Sequence, residues 1–372
     1  MEIEDSTLLQ FVLKELNGGI ASGEYKKDDN DLVDLALRKA VEKAVENSRE
    51  LVPQDHAWLE RTSEKWALRK KGMMEKVRRA NLRRWGRGFR LYRKCLLTAE
   101  VMNQMMENCI GEWVTESDQT INEPLLGIPS TMGGRPLKVI TLLSLHSRAC
   151  AIGNEILLLA ENGFPEAVKA RTRSLHELAV TADCLSALGP LDTDVSDRYG
   201  AWAVAEARKE ARALSAPGSI PEELTGREAE IARRAEAAWG SDFFRQNGWA
   251  APLFPGRRPP IPFTELEKFT DMSHMRSYYL AGNEAIHGGP SALTSRARFR
   301  NGAIFATSSE VQHEATREFL AVAAITLSVV CTATCEVIAS VTGDFDSIFA
   351  VKAMRDAVED ARIEFKNGGM HR

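Results

Sequence analysis

Residues 142–159 read LLSLHSRACAIGNEILLL, and this stretch decides the fold class. Leu145, Ala149, Ile152, Ile156 and Leu159 recur at steps of four and three, which puts them on one face of a helix. Towards the N-terminus, Leu32, Leu35, Ala36 and Ala40 repeat the pattern with Lys39 and Lys43 at its border. Long alternating runs of the kind that form strands are missing. The expected fold is all-α, a multi-helix bundle with an N-terminal charged helical extension.

Turn and breaker residues divide the chain. Asn17-Gly18-Gly19 and Ser22-Gly23 separate a short first helix from one at about 31–50, which Val52-Pro53 is expected to stop. A long basic helical region follows at about 56–116, with Gly86 and Gly88 as an expected kink or break. Asn122–Pro136 holds three prolines and three glycines and reads as the main boundary. Further helices are expected at about 137–162, 165–188, 192–214, 221–240, 273–287, 310–341 and 344–366. The implied units are acidic N-terminal helices over 1–55, a basic region over 56–120, a helical core over 137–345 and an amphipathic helix over 346–372.

The 372 residues are 44% hydrophobic and 27% charged, enough to bury a core and unlike a disordered chain. Phe319 to Val341 carries a single charge, Glu336. It is long enough to cross a bilayer, but its Thr, Ser and Ala content and lack of flanking anchors favour a buried central helix, with no membrane partner. The start of the chain does not resemble a signal peptide, and the six scattered cysteines form no CxxC pair. Reduced thiols in a cytoplasm are the expectation.

The near balance of 48 basic and 52 acidic residues hides a segregation. Residues 1–60 hold fourteen acidic and seven basic side chains, a net of −7. Residues 61–95 hold fourteen basic side chains, including Arg69, Lys70, Lys71, Arg78, Arg79, Arg83, Arg84, Arg87 and Arg90, against Glu64 and Glu75, a net of +12. Trp66, Trp85, Phe89 and Tyr92 are interleaved with them. Cations beside aromatic rings suit a phosphate backbone with stacked bases, so RNA is a candidate partner. Neutralisation by the acidic helix at 31–50, or a solvated helix face, accounts for the same charge run.

Polar residues inside apolar helices are the candidate site. Arg148 and Glu155 lie seven apart, two turns along one helix. Arg173 reaches both His176 and Glu177 at spacings of three and four. Asn283 and His287 are four apart on a later helix. A structural network that fixes helix register explains these residues. So does a site in which His176 or His287 transfers protons and Arg148 or Arg173 stabilises an anionic phosphate. Asp271 with His274, and Glu284 with His287, lack a third ligand, so no metal is expected. Gly133-Gly134-Arg135-Pro136-Leu137-Lys138 lacks the GK[ST] of a phosphate loop, and no cofactor is implied. No GxSxG is present, and the cysteines read as remote from the histidines.

The run Leu145-His146-Ser147-Arg148 through Leu157, then Gly163-Phe164-Pro165-Glu166-Ala167, then Ala170-Arg171-Thr172-Arg173-Ser174-Leu175-His176-Glu177, resembles a bacterial domain-of-unknown-function family, number 5677. Pro262-Phe263-Thr264-Glu265-Leu266, His274, Tyr278-Tyr279 and Ile286-His287 resemble its second block, so the likeness covers about 137–295. It implies an all-helical domain without an assigned activity. Gly282-Asn283-Glu284-Ala285-Ile286-His287 is more loosely similar to the Arg-Asn-x-x-x-His motif of HEPN domains, with Gly in place of Arg. That similarity implies an RNA-directed effector of toxin or defence type, a metal-independent ribonuclease in which an RNA 2′-hydroxyl attacks the phosphate. His176 and His287 would transfer protons, Arg173 and Arg148 would hold the phosphate, and Glu177 and Asn283 would complete the site. HEPN sites are often shared by two subunits, so a homodimer is implied. A non-catalytic nucleic-acid-binding adaptor, or a helical scaffold with a structural polar network, is the alternative.

Overall fold

The stripe through Leu145, Ala149, Ile152 and Ile156 is buried, as a core-facing helix requires. The computed structural model describes residues 17–18, 21–22, 32–116, 135–189, 192–214, 226–287, 297–300, 303–307, 316–343 and 346–367. Its helices are α1 (Leu32–Glu116), α2 (Arg135–Glu161), α3 (Pro165–Ser186), α4 (Asp194–Leu214), α5 (Gly226–Trp239), α6 (Phe263–Phe269), α7 (Arg276–His287), α8 (Arg317–Thr342) and α9 (Asp346–Asn367). A two-stranded antiparallel hairpin, β1 (Ala297–Arg300) and β2 (Ala303–Thr307), lies between α7 and α8. The chain divides into two units, Met1–Met73 and Met74–Arg372.

In the second unit α8 is the central element, packing against α9, α3 and α2. It is long and apolar enough to cross a membrane, yet Leu320, Ala324, Leu327, Cys331 and Ile338 are buried among the other helices. Its buried threonines are satisfied, one within the helix and one across to α2. Thr326 donates to Val322 O at 2.7 Å and Thr334 to Leu142 O at 3.4 Å, so their hydroxyls carry no unpaired desolvation cost.

Two expectations about α1 are corrected. Pro53 does not stop the helix, and Gly86 and Gly88 do not break it, because α1 runs unbroken from Leu32 to Glu116. A proline removes one backbone bond, which the helix formers on either side of it outweigh here. Gly88 has a packing role instead: a Cβ there would lie 2.5 Å from the Phe365 ring of α9. The acidic 32–50 and basic 61–71 segments lie end to end on this one helix, so the acidic stretch does not fold back to neutralise the basic one. The proposed short first helix and most of Asn122–Pro136 lie outside the described residues, and Arg135 and Pro136 already open α2.

The hairpin and α6 were not anticipated. The strands are four and five residues long, too short for an alternating pattern to stand out. Asn301-Gly302 between them is, however, a strong hairpin-turn dipeptide.

Phe365 is 1% exposed, and its ring fills the space that Gly88 leaves. Phe365→Ala is expected to cost about 3–5 kcal/mol, read as a lower midpoint in chemical denaturation. An unchanged midpoint would mean that α9 does not dock on α1.

Candidate functional site

Among the sequence-derived candidates, α3 contributes three in one turn and a half. His176 points into the protein, 2% exposed, and Arg173 and Glu177 flank it towards solvent. The partner of His176 is Glu267 of α6, whose Oε1 lies 2.9 Å from Nε2. Glu267 is 0% exposed, and its other oxygen accepts from Arg276 of α7. Burial lowers the His176 pKa, opposed by the hydrogen bond to Glu267. A neutral imidazole with the proton on Nε2 fits both observations. Nδ1 is then a bare acceptor, and it has no hydrogen-bond partner among the described residues.

The flanking pair forms a second, outer layer. Arg173 Nη2 lies 2.9 Å from Glu177 Oε1 and donates to Tyr279 Oη at 3.3 Å. Tyr279 in turn donates to Glu177 Oε1 at 3.1 Å. Burial, then the nearby Glu177 charge, raises the Tyr279 pKa, which keeps the phenol a donor. Its ring stacks on Phe263 at 5.2 Å and lies 5.6 Å from the His176 ring. The Arg173 guanidinium sits 5.0 Å from the Tyr279 centroid, a cation–π contact.

This outer layer opens into a cleft of about 780 Å³, lined by Arg173, Glu177, Phe263 and Tyr279 on one side and by residues of α4 and the 244–247 loop, including Trp202 and Phe244. The loop is held in place by Asn247, which adopts φ 52° and donates to Ile261 O at 2.8 Å. Ile261 N donates back to Gln246 O at 2.9 Å.

The remaining candidates are elsewhere. His287 ends α7, exposed. Eight residues separate it from Tyr279, about 12 Å along a helix, so it does not join the His176 cluster. Arg148 is exposed on α2, where its charge acts on Tyr199 of α4. Glu155 pairs with Arg171 rather than with Arg148. Asn283 lies one turn beyond Tyr279, with its Oδ1 buried and without a hydrogen-bond partner among the described residues. At Gly282, where HEPN domains carry arginine, an added Cβ would lie 2.6 Å from Arg173 Cβ and 2.9 Å from Lys169 O. This is where α7 crosses α3, and no arginine fits there.

One reading of the cysteines is also corrected. Cys150 Sγ lies 3.8 Å from His146 Nδ1, one turn away on α2. Burial pushes the Cys150 thiol up to about 12 and His146 down to about 4. Both shifts oppose a thiolate–imidazolium pair, so this contact is not an activated nucleophile.

The basic candidates separate by face. In the first unit Arg69 and Lys71 are exposed, and Lys70 lies 5.8 Å over Trp66. In the second unit Trp85, Phe89 and Tyr92 are buried, which corrects their expected role as stacking platforms: they are the core face of α1. Arg78 reaches Glu75 and Glu161, and Arg84 lies over Trp85 at 4.9 Å. Lys76, Arg79, Arg83, Arg87, Arg90 and Lys94 are all exposed and recur at steps of three and four, one outward face. Among the described residues three carboxylates touch it: Glu75 at 2.9 Å from Arg79, Glu364 at 3.3 Å from Arg87 and Asp360 at 3.9 Å from Lys94. Six cations against three carboxylates leave a surplus of three.

A family model described as a family of unknown function (DUF5677) matches residues 139–304. That span runs from α2 through the cleft to β2. No curated protein and no solved structure matches the chain.

Glu267 and Tyr279 were missed as site residues. Tyr279 sits in a quoted motif, but nothing in Phe263–Phe269 marks Glu267 as buried. Trp202 and Phe244 carry no periodic signal. Gly282→Arg is expected to lower the thermal midpoint by several degrees without giving RNA cleavage, since the helix crossing must open. A stable variant that cleaves RNA would contradict the crossing.

Proposed function

We propose that this chain is a non-catalytic RNA-binding protein in which the outward face of α1 holds the phosphate backbone and the His176–Glu267–Arg276 network is structural. The observation that carries it is the cationic face from Lys76 to Lys94, about 27 Å long at helical rise. Its ion pairs are exposed and individually weak, so phosphates can displace the carboxylates. A metal-independent HEPN-like ribonuclease is the finer reading and asks for more. It needs His176 and His287 at one phosphate, whereas His176 is sealed and His287 lies about two turns beyond the cluster. It also needs an arginine where Gly282 meets α3.

RNA binding measured against salt, in EDTA, with strand integrity followed on gels, tests this reading. Wild type is expected to bind single-stranded RNA with affinity falling steeply as salt rises. Arg83→Glu with Arg90→Glu is expected to weaken binding at least tenfold and to flatten the salt slope by about 0.7 per lost phosphate contact. Salt-independent binding, or no binding, would overturn the proposal. Cleavage abolished by His176→Ala in a folded protein would restore the ribonuclease reading.

A further inference from the structure

A cavity of about 400 Å³ opens where the turn before α7 meets α8 and α9, and it shares no lining residue with the cleft beside Arg173. Its volume is within the range of small-molecule sites. The floor is apolar: Met275, Val322 and Phe365 are buried there, and Tyr278, Ala321 and Ile325 are half-buried around them. Tyr278 packs edge-on against Phe319 at 5.4 Å, and Phe365 is held against α1 at Gly88. The floor is therefore built on side chains that the core already fixes.

The rim is charged, and its groups differ in what they already hold. Arg362 is engaged with Glu359, Nε donating to Oε2 at 2.8 Å and Nη2 to Oε1 at 2.7 Å. His274 donates from Nδ1 to Asp271 O at 2.8 Å. Glu364, next to Phe365, is held by Arg87 at 3.3 Å. Arg317 lies 5.7 Å from the Trp85 centroid, a cation–π contact that leaves its charge without a carboxylate. Among the described residues neither Arg317 nor Lys366 forms an ion pair, and nor does Glu318, the one carboxylate of the lining. Arg317 and Lys366 against Glu318 leave one cation in surplus. Arg317 and Glu318 also open α8, and the amide end of a helix favours a negative group.

We propose that this cavity binds an amphipathic monoanion, an organic carboxylate whose apolar body fills the floor and whose headgroup takes Arg317 and Lys366. One negative charge balances the rim, whereas an ammonium headgroup meets two cations. The pairing is charge-assisted, and the apolar floor beside it makes it stronger than the same pair on an open surface. This site goes beyond the RNA-binding reading and does not depend on it.

Calorimetric titration of the full chain with octanoate, octanol, octylammonium and acetate tests it. Octanoate is expected to bind at least tenfold tighter than each of the other three. Arg317→Gln with Lys366→Gln, both on the rim, is expected to weaken octanoate at least tenfold, to the level of octanol. Ala321→Phe, which fills the cavity from a half-buried position, is expected to abolish octanoate binding; Ile325→Phe is the second filling variant should the first fail to fold. No octanoate binding, or octanol or octylammonium binding as tightly, overturns the proposal. Acetate equal to octanoate overturns it as well, since the floor then contributes nothing. So does octanoate affinity that survives either the rim or the filling substitutions, because the ligand then sits elsewhere.

Discussion

The carboxylate of Glu267 has no solvent at all, and a buried charge of that kind persists only with partners on every side. Its partners come from two other helices, His176 of α3 and Arg276 of α7. Three elements are thus joined by one carboxylate, and the seven-residue α6 is held besides by Leu266, 1% exposed in the core. Phe263, on the same short helix, stacks on Tyr279 of α7, so the register set by Glu267 also sets one wall of the cleft. Removing the carboxylate would take that partner from the half-exposed Arg276 and loosen that wall.

This constraint separates structure from chemistry in the polar cluster. In the inner layer, Glu267 bonds both His176 and Arg276; His176 and Glu267 are sealed and Arg276 is half-exposed. The outer layer, Arg173, Glu177 and Tyr279, lines the cleft, with Arg173 and Glu177 partly exposed. Proton transfer to a substrate needs a group that can reach it. His176 cannot, and His287, which can, stands apart. Binding needs only the outer layer, held rigid by the inner one.

Much of the fold was legible because helical burial writes itself into sequence at steps of three and four. Leu145, Ala149, Ile152 and Ile156 are buried as read, and the bounds of α2, α3 and α9 fall within a few residues of those expected. The failures have local causes. Pro53, Gly86 and Gly88 were weighed by intrinsic preference, but Gly88 answers to a neighbouring ring that only tertiary structure supplies. Trp85, Phe89 and Tyr92 were read by their proximity to arginines, although their own spacing of four and three is that of a core face. Within the site, Arg173, His176 and Glu177 were found because they interrupt an apolar pattern. Glu267 was not, since a glutamate on a short polar helix looks solvated until its packing is known.

The state of the His176 ring tests the central claim most directly. Long-range ¹⁵N–¹H correlation spectra of the histidines, recorded from pH 8 to pH 5, report protonation and tautomer at each nitrogen. The sealed network predicts a His176 with a slowly exchanging proton on Nε2 that titrates below an ordinary imidazole, because burial lowers its pKa. Glu267→Gln should perturb that signal and leave His287 unaffected. A His176 that titrates near 6.5 with rapid solvent exchange would contradict the account, and would describe an accessible general base.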